Sequence, residues 1–417
     1  MIALLAAAGT AGGCRAPTQA PRPPTSVWAW GFNDYGQIGN GSKIQVSEPI
    51  RLSLSDVTQV QASFHNSLAL KKDGSVWQWG SLDEEVLTST PCPNPAAPPG
   101  FIACDLTPTQ VLGLPKAKSI GAGYGFGLAI TDDSDSTICR WGENNAGQLG
   151  NFFLEPVKSP VCFGPPDRVL YVDGGGGGSV GGHTVAISSG PPQLTVWSWG
   201  HDEHKQVGSA ASICGPYDCV DNPTQVKGLA DVIGVAAGQE HSLALKSDGT
   251  VWAWGSQDRG QLGVPGTSDD TAIPVEVRMN GTNPLIPLDH VRDIAAGGGH
   301  SLALRNDGTV WTWGFNNFGQ LGVSTAPLDI ASSARKVQDL KDIVAIAAGD
   351  NFSLALKSDG TVWAWGANDR GQLGAPSGDK CGPKQLPCSF HPIQVRNLTS
   401  VTSIAAGGAH SLALARP

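Results

Sequence analysis

A pentapeptide built around tryptophan recurs seven times and constrains the fold more than any other feature. The copies read VWAWG ending at Gly31, VWQWG at Gly80, ICRWG at Gly142, VWSWG at Gly200, VWAWG at Gly255, VWTWG at Gly314 and VWAWG at Gly366. All 13 tryptophans lie in these copies. A second motif also appears seven times: HNSLAL from His65, YGFGLAI from Tyr124, HTVAI from His183, HSLAL from His241, His300 and His410, and NFSLAL from Asn351. A third, GQLG or a near copy, begins at Gly36, Gly147, Gly260, Gly319 and Gly371, varies at Lys205 to Gly208, and is missing from the second unit. A unit repeated this way cannot bury its apolar side alone and must stack on copies of itself.

Each unit reads as strands. HSLAL alternates, an Asp-Gly pair (Asp73, Asp248, Asp307, Asp359) supplies a tight turn, and VWAWG returns antiparallel. Upstream, Pro223 to Val226 and Val232 to Val235 supply two more short strands. Seven units averaging about 55 residues, near the span of a propeller blade, predict an all-β, seven-bladed β-propeller of four-stranded antiparallel blades. The 55 glycines and 30 prolines fit many turns between short strands. The chain opens on a VWAWG strand lacking its HSLAL partner and ends on an SLAL strand lacking its WG partner. Pairing these N- and C-terminal strands would close the ring and remove both sheet edges.

The pattern AAGxxHSLALxxDGxVWxWGxNxxGQLG, carried by Ala236 to Gly263, resembles the repeat of the regulator-of-chromosome-condensation family, and the likeness runs from about residue 27 to 414. Other propeller signatures fit worse: WD repeats place Trp-Asp where this chain has Trp-Gly. The resemblance implies a binding ring. The family's founding member is a nuclear exchange factor for a small GTPase, and exported bacterial relatives include an inhibitor that caps β-lactamases with one face. Exchange activity is the weaker implication, because no exchange loop aligns and no catalytic position transfers.

Three segments are expected: an export signal over 1–14, a proline-rich linker over 15–26, and the propeller over 27–417. Ile2 to Ala8 is a short apolar run followed by small residues and Cys14. This reads as a lipoprotein-type signal with Cys14 acylated, a plain secretory signal being the alternative. Eight further cysteines suit disulfides in an exported protein. Local pairing gives Cys92–Cys104, Cys214–Cys219 and Cys381–Cys388, leaving Cys139–Cys162. A net charge of −9 without a basic block argues against nucleic acid as partner.

Insertions fall at one point of the unit, after the WG and GQLG turns: Ser81 to Thr107, Asn151 to Asp167, Ser209 to Asn222, and Ala375 to His391. They should emerge on one face and present Asp83, Glu84, Glu85, Phe152, Phe153, Tyr217, Asp218 and Lys380 to a protein partner. The paired tryptophans are expected to bury both rings between blades. His65, His183, His241, His300 and His410 are expected to cap local backbone hydrogen bonds rather than act as bases. Gly177-x-Ser179-x-Gly181 matches a hydrolase elbow only formally, since no helix follows. Asp202-Glu203-His204, the nearest candidate for a catalytic cluster, reads as a solvated turn. No catalytic residue, cofactor or metal is expected, and the membrane enters only through a lipid anchor. The expected molecule is a monomeric, exported, protein-binding propeller, with a carbohydrate-binding or -processing ring and an exchange factor as the alternatives.

Overall fold

The computed structural model describes residues 25–81, 104–163, 168–177, 181–190, 193–209, 212–214, 217–266, 268–281, 284–323 and 330–417. Seven antiparallel sheets stand around a central axis. Blade 1 runs outward from Val57–Ala62 through Asn66–Lys71 and Val76–Gly80 to Asp105–Gln110. Blade 2 begins at Ala117–Gly123, blade 3 at Arg168–Gly174, blade 4 at Val232–Ala237, blade 5 at Val291–Ala296, and blade 6 at Ile343–Ala348. Blades 3 and 6 gain a short fifth strand, Ser212–Cys214 and Asp379–Cys381, each folded back from an insertion onto the outermost strand.

Blade 7 closes the ring as the sequence predicts. Its inner strands, Val401–Ala406 and His410–Ala415, come from the C-terminal end, and its outer strands, Ser26–Gly31 and Val46–Ser55, from the N-terminal end. Val27 faces Leu414, Ala29 faces Leu412 and Trp30 faces Ser411.

Apolar clusters fill the seams between blades, and each holds the second tryptophan of a WG strand. Trp30, Trp79, Trp141, Trp199, Trp254, Trp313 and Trp365 are at most 2% exposed. The last glycine of each GQLG makes room for the neighbouring ring: at Gly263, with φ +68°, an added Cβ would lie 3.0 Å from Trp313 Cδ1.

The expectation that both rings bury fully is corrected here. Trp28, Trp77, Trp197, Trp252, Trp311 and Trp363 are only partly buried, because they sit toward the end of the strand away from the GQLG loop, which for Trp77, Trp252, Trp311 and Trp363 is the Asp-Gly hairpin. Lysine or arginine stems cover several of them, Lys246 Nζ lying 5.7 Å from the Trp252 ring centre and Arg305 Cζ 5.8 Å from that of Trp311. The two positions should therefore differ in urea unfolding. Trp254→Ala should cost about 3–5 kcal/mol and Trp252→Ala roughly 1–2 kcal/mol; equal losses would contradict the seam geometry.

Candidate functional site

Each inner strand runs up to a turn that reads Ala-Gly in five of the blades, the HSLAL strand runs back down, and the WG strand returns. The GQLG loops and the insertions therefore share one end of the ring with the Ala-Gly turns; we call this end the loop face.

The loops on this face are held by their own side chains. Asn33, Asn144, Asp202, Gln257, Asn316 and Asn368 each accept the backbone N–H of the residue five positions on, as Leu262 N–H donates to Gln257 Oε1 at 2.9 Å. The glutamine of GQLG also accepts through its side chain from the residue two positions before it, as Arg259 N–H donates to Gln261 Oε1 at 2.9 Å. Tyr35, Ala146, His204, Phe318 and Arg370 are held identically. Six loop tips are thereby fixed in place while their side chains differ. Ala146 is buried, and the other five are partly or largely exposed. Tyr35 lies 4.1 Å from the His65 ring and Arg370 lies 4.9 Å over Phe32. On the other side of the ring, His204 bonds Asp270 at 2.8 Å and approaches Glu240 at 3.8 Å.

Asp202-Glu203-His204 is a solvated turn only at Glu203, which is exposed. Asp202 is buried and holds the loop, its carboxyl pushed up to about 6 by burial. Burial works against a charged His204, but the Asp270 hydrogen bond and the nearby Glu240 outweigh it and raise its pKa.

Inside the tips, seven turns surround a shallow central mouth of about 70 Å³. Backbone bonds pass from blade to blade around it, among them Gly176 N–H to Gly238 O at 2.9 Å and Asp350 N–H to Gly408 O at 3.1 Å. Between blades 1 and 2 the Gln59 side chain bridges to Ile120 instead. Long side chains from three turns lie across glycines of the preceding blade. An added Cβ would lie 2.1 Å from Gln239 Nε2 at Gly177, 2.1 Å from Asp350 Oδ1 at Gly298, and 2.9 Å from Phe64 Cδ2 at Gly408. Tyr124 closes an aromatic edge, its ring 5.2 Å from Phe64. Burial pushes Asp350 up to about 6, against the pull of Arg259 and reinforced by Glu240. Deeper in the channel, burial raises Asp173 to about 7 although it accepts Ala237 N–H.

The repeat histidines also depart from expectation. His241 Nε2 meets Ser301 Oγ of the next blade at 2.8 Å, and Ser301 Oγ donates to the Gln261 carbonyl at 3.0 Å. With the hydroxyl proton so placed, the network assigns the imidazole proton to Nε2 and leaves Nδ1 bare. His183, His300 and His410 repeat the contact with Ser242, Ser353 and Ser67. The histidine is a clamp between blades rather than a local backbone cap. Its partner serine gives its proton to a carbonyl, so the pair cannot serve as base and nucleophile. His65 does not belong to this set; Asn66 occupies the slot, and His65 stands one residue earlier among Phe64, Tyr35 and Phe32.

Of the residues proposed from sequence, Phe152 and Phe153 are 67% and 68% exposed. They stand at the outer edge of blade 2, with Asp218 on the short hairpin of blade 3 and Lys380 on that of blade 6. They are spread over three blades rather than gathered. Asp83, Glu84, Glu85, Cys14, Cys92 and Ser179 lie outside the described residues, as do the side chains of Tyr217 and Cys214. Cys139–Cys162 and Cys381–Cys388 form as expected. Cys104 and Cys219 are also disulfide-bonded.

The regulator of chromosome condensation (RCC1) repeat matches residues 26–70, 195–245, 248–304, 307–356 and 359–414. The chain belongs to the RCC1 repeat family. Human E3 ubiquitin-protein ligase HERC2 is 26% identical over 400 residues, covering 93% of this chain but only 8% of the ligase. The Arabidopsis thaliana ultraviolet-B receptor UVR8 is 27% identical over 368 residues, covering 86% of this chain and 77% of the receptor. The structure of yeast RCC1 (Prp20) bound by Kap60 superposes with a TM-score of 0.74 at 17% identity, covering all of this chain and 96% of that one; this likeness is of fold.

Sequence reasoning looked to the insertions and passed over the RCC1 loop tips and the mouth. The available signal was the variable residue two positions before each Gln of GQLG, bracketed by constant ones.

The clamp predicts a pH effect. Burial lowers His241 to about 3, well below its unfolded value near 6.5. The neutral imidazole therefore stabilises the fold fully above about pH 6.5, and this contribution is lost as pH falls toward 3. His241→Asn, the residue blade 1 already uses, should lose about 1 kcal/mol at pH 7. That deficit should shrink by about 1.4 kcal/mol per pH unit below about 6. Urea unfolding of both proteins from pH 7 to 5 checks it; a constant difference would contradict titration at His241.

Proposed function

We propose that this RCC1-type ring is a non-catalytic module that engages a protein through its loop face, at the cell envelope or outside it. The observation that carries the reading is the set of six loop tips, fixed by identical side-chain staples yet carrying different residues. A rigid frame displaying tyrosine, phenylalanine, histidine and arginine suits a protein interface, where such residues act as anchors and prior ordering reduces the cost of association. The outer residues Phe152, Phe153, Asp218 and Lys380 would extend the contact. Yeast RCC1 has been crystallised with a protein partner, in keeping with a ring that meets proteins.

The carbohydrate reading finds less support, because charged stems cover several of the outer tryptophans that would stack on sugars. Exchange-factor activity has only family likeness behind it. Export rests on the signal expected in residues 1–14, with Cys14 as its lipid site, and is supported by the disulfides.

Two experiments test these statements. Proteins captured from envelope extracts by the intact chain are compared with those captured by a Tyr35→Ala, Arg259→Ala, Phe318→Ala variant. A Leu170→Ser, Val344→Ser variant on the opposite face serves as control. The first variant should recover roughly tenfold less and the second as much as the intact chain; equal recovery by both would remove the loop face from consideration. For export, mass spectrometry of natively purified protein should find Cys92, Cys104, Cys139, Cys162, Cys214, Cys219, Cys381 and Cys388 all oxidised. Eight free thiols would overturn that part.

A further inference from the structure

We infer that the central mouth of the loop face is a receptor for one basic side chain, a lysine or arginine carried on a protruding segment of the protein partner. This rests on the reading that the loop face meets a protein, and it adds which chemistry the centre of that face selects.

Three different groups line the mouth. The Asp350 carboxyl lies over Gly298, with Oδ2 accepting from Asn351 Nδ2 at 3.0 Å. Among the described residues it has no lysine or arginine within ion-pairing distance. The nearest candidate cation, Arg259, lies against Gly299 and draws the Asp350 pKa down without pairing with it; its Nε is 3.7 Å from Asp258 and its guanidinium 5.6 Å over Phe315. Gln239 lies over Gly177 with its amide, while Phe64 lies over Gly408 and offers a ring. Carboxylate and aromatic ring are two groups that together suit a cation.

The walls suit the rest of such a side chain. The turns bring alanines to the mouth, Ala237 and Ala348 among them, and an aliphatic stem can lie along these while its charged end reaches the acid. The glycines that follow leave no room for side chains of their own. At Gly175 an added Cβ would lie 2.1 Å from the Gly238 carbonyl oxygen, so the opening cannot be filled from within without moving the backbone. Burial disfavours charge on Asp350 by more than Arg259 restores, and Glu240 of the blade 4 turn adds to the cost. A partner's cation would relieve both costs. An anionic group entering the same opening would meet Asp350 first and be repelled.

Short random peptides displayed on phage, selected on the intact protein, test this. The expected result is enrichment of lysine or arginine at one position of the binders. Those peptides should bind roughly tenfold or more weakly to Asp350→Asn, whose melting temperature should stay close to that of the parent. Replacing the selected lysine by norleucine keeps the stem and removes the charge. It should cause a similar loss on the unaltered protein, so the inference can be judged even if Asp350→Asn fails to fold. Binders that carry no basic residue, or that tolerate both changes while losing affinity to the Tyr35→Ala, Arg259→Ala, Phe318→Ala variant, overturn this inference and leave the protein-binding reading standing. Enrichment of acidic peptides, or of none, overturns it as well.

Discussion

In six of the seven blades one backbone carbonyl joins the blade to the next. The Gln261 carbonyl of blade 4 accepts from both Trp313 Nε1, at 2.8 Å, and Ser301 Oγ, at 3.0 Å, two groups of blade 5. Gln37, Gln206, Gln320 and Gln372 do the same for their own neighbours, and Gln148 does so with Thr184 in place of serine. A buried indole N–H and a buried hydroxyl each need a partner, and leaving either without one costs about 1–3 kcal/mol. The clamp therefore sets the angle between blades as well as their cohesion. GQLG, the second tryptophan and the serine of HSLAL form one device written in three places.

The exception supports this account. Blade 1 has no GQLG, and its seam with blade 2 is rebuilt accordingly. Trp141 Nε1 donates to the Gln78 side chain at 2.7 Å. The serine position is Gly127, where an added Cβ would lie 2.4 Å from Trp141 Cζ2. With the carbonyl gone, the hydroxyl has no acceptor to meet and the indole takes its space. Blade 2 departs in other ways too. Cys139 replaces the first tryptophan and is bonded to Cys162 on the next strand, and a buried Arg140 stacks between Phe163 and Trp199.

The same loop serves cohesion and display at once. The glutamine that offers its carbonyl to the next blade uses its side chain to hold its own tip residue. Rigidity at the surface is thus a by-product of the force that closes the ring, and a tip residue can change without touching the clamp. This explains why variation gathers where it does, and why the mouth, ringed by backbone, carries its chemistry on a few long side chains lying over glycines.

Read without coordinates, the chain already determined a ring of seven sheets and its closure by the two chain ends. Tandem copies of one strand pattern can bury their apolar sides in few ways, and unpaired halves at the two ends leave one sensible pairing. The pairing Cys381–Cys388 was legible because its cysteines are close in sequence, and Cys139–Cys162 followed as the pair left over. Tertiary structure alone decided which tryptophan of each pair is buried, because both share one side of a strand and differ only in height within the seam. It alone showed that His241 reaches a serine 60 residues away, and that Phe64, Gln239 and Asp350 share one opening. Their separations in sequence carry no trace of that meeting, which follows from circular closure placing equivalent turns side by side.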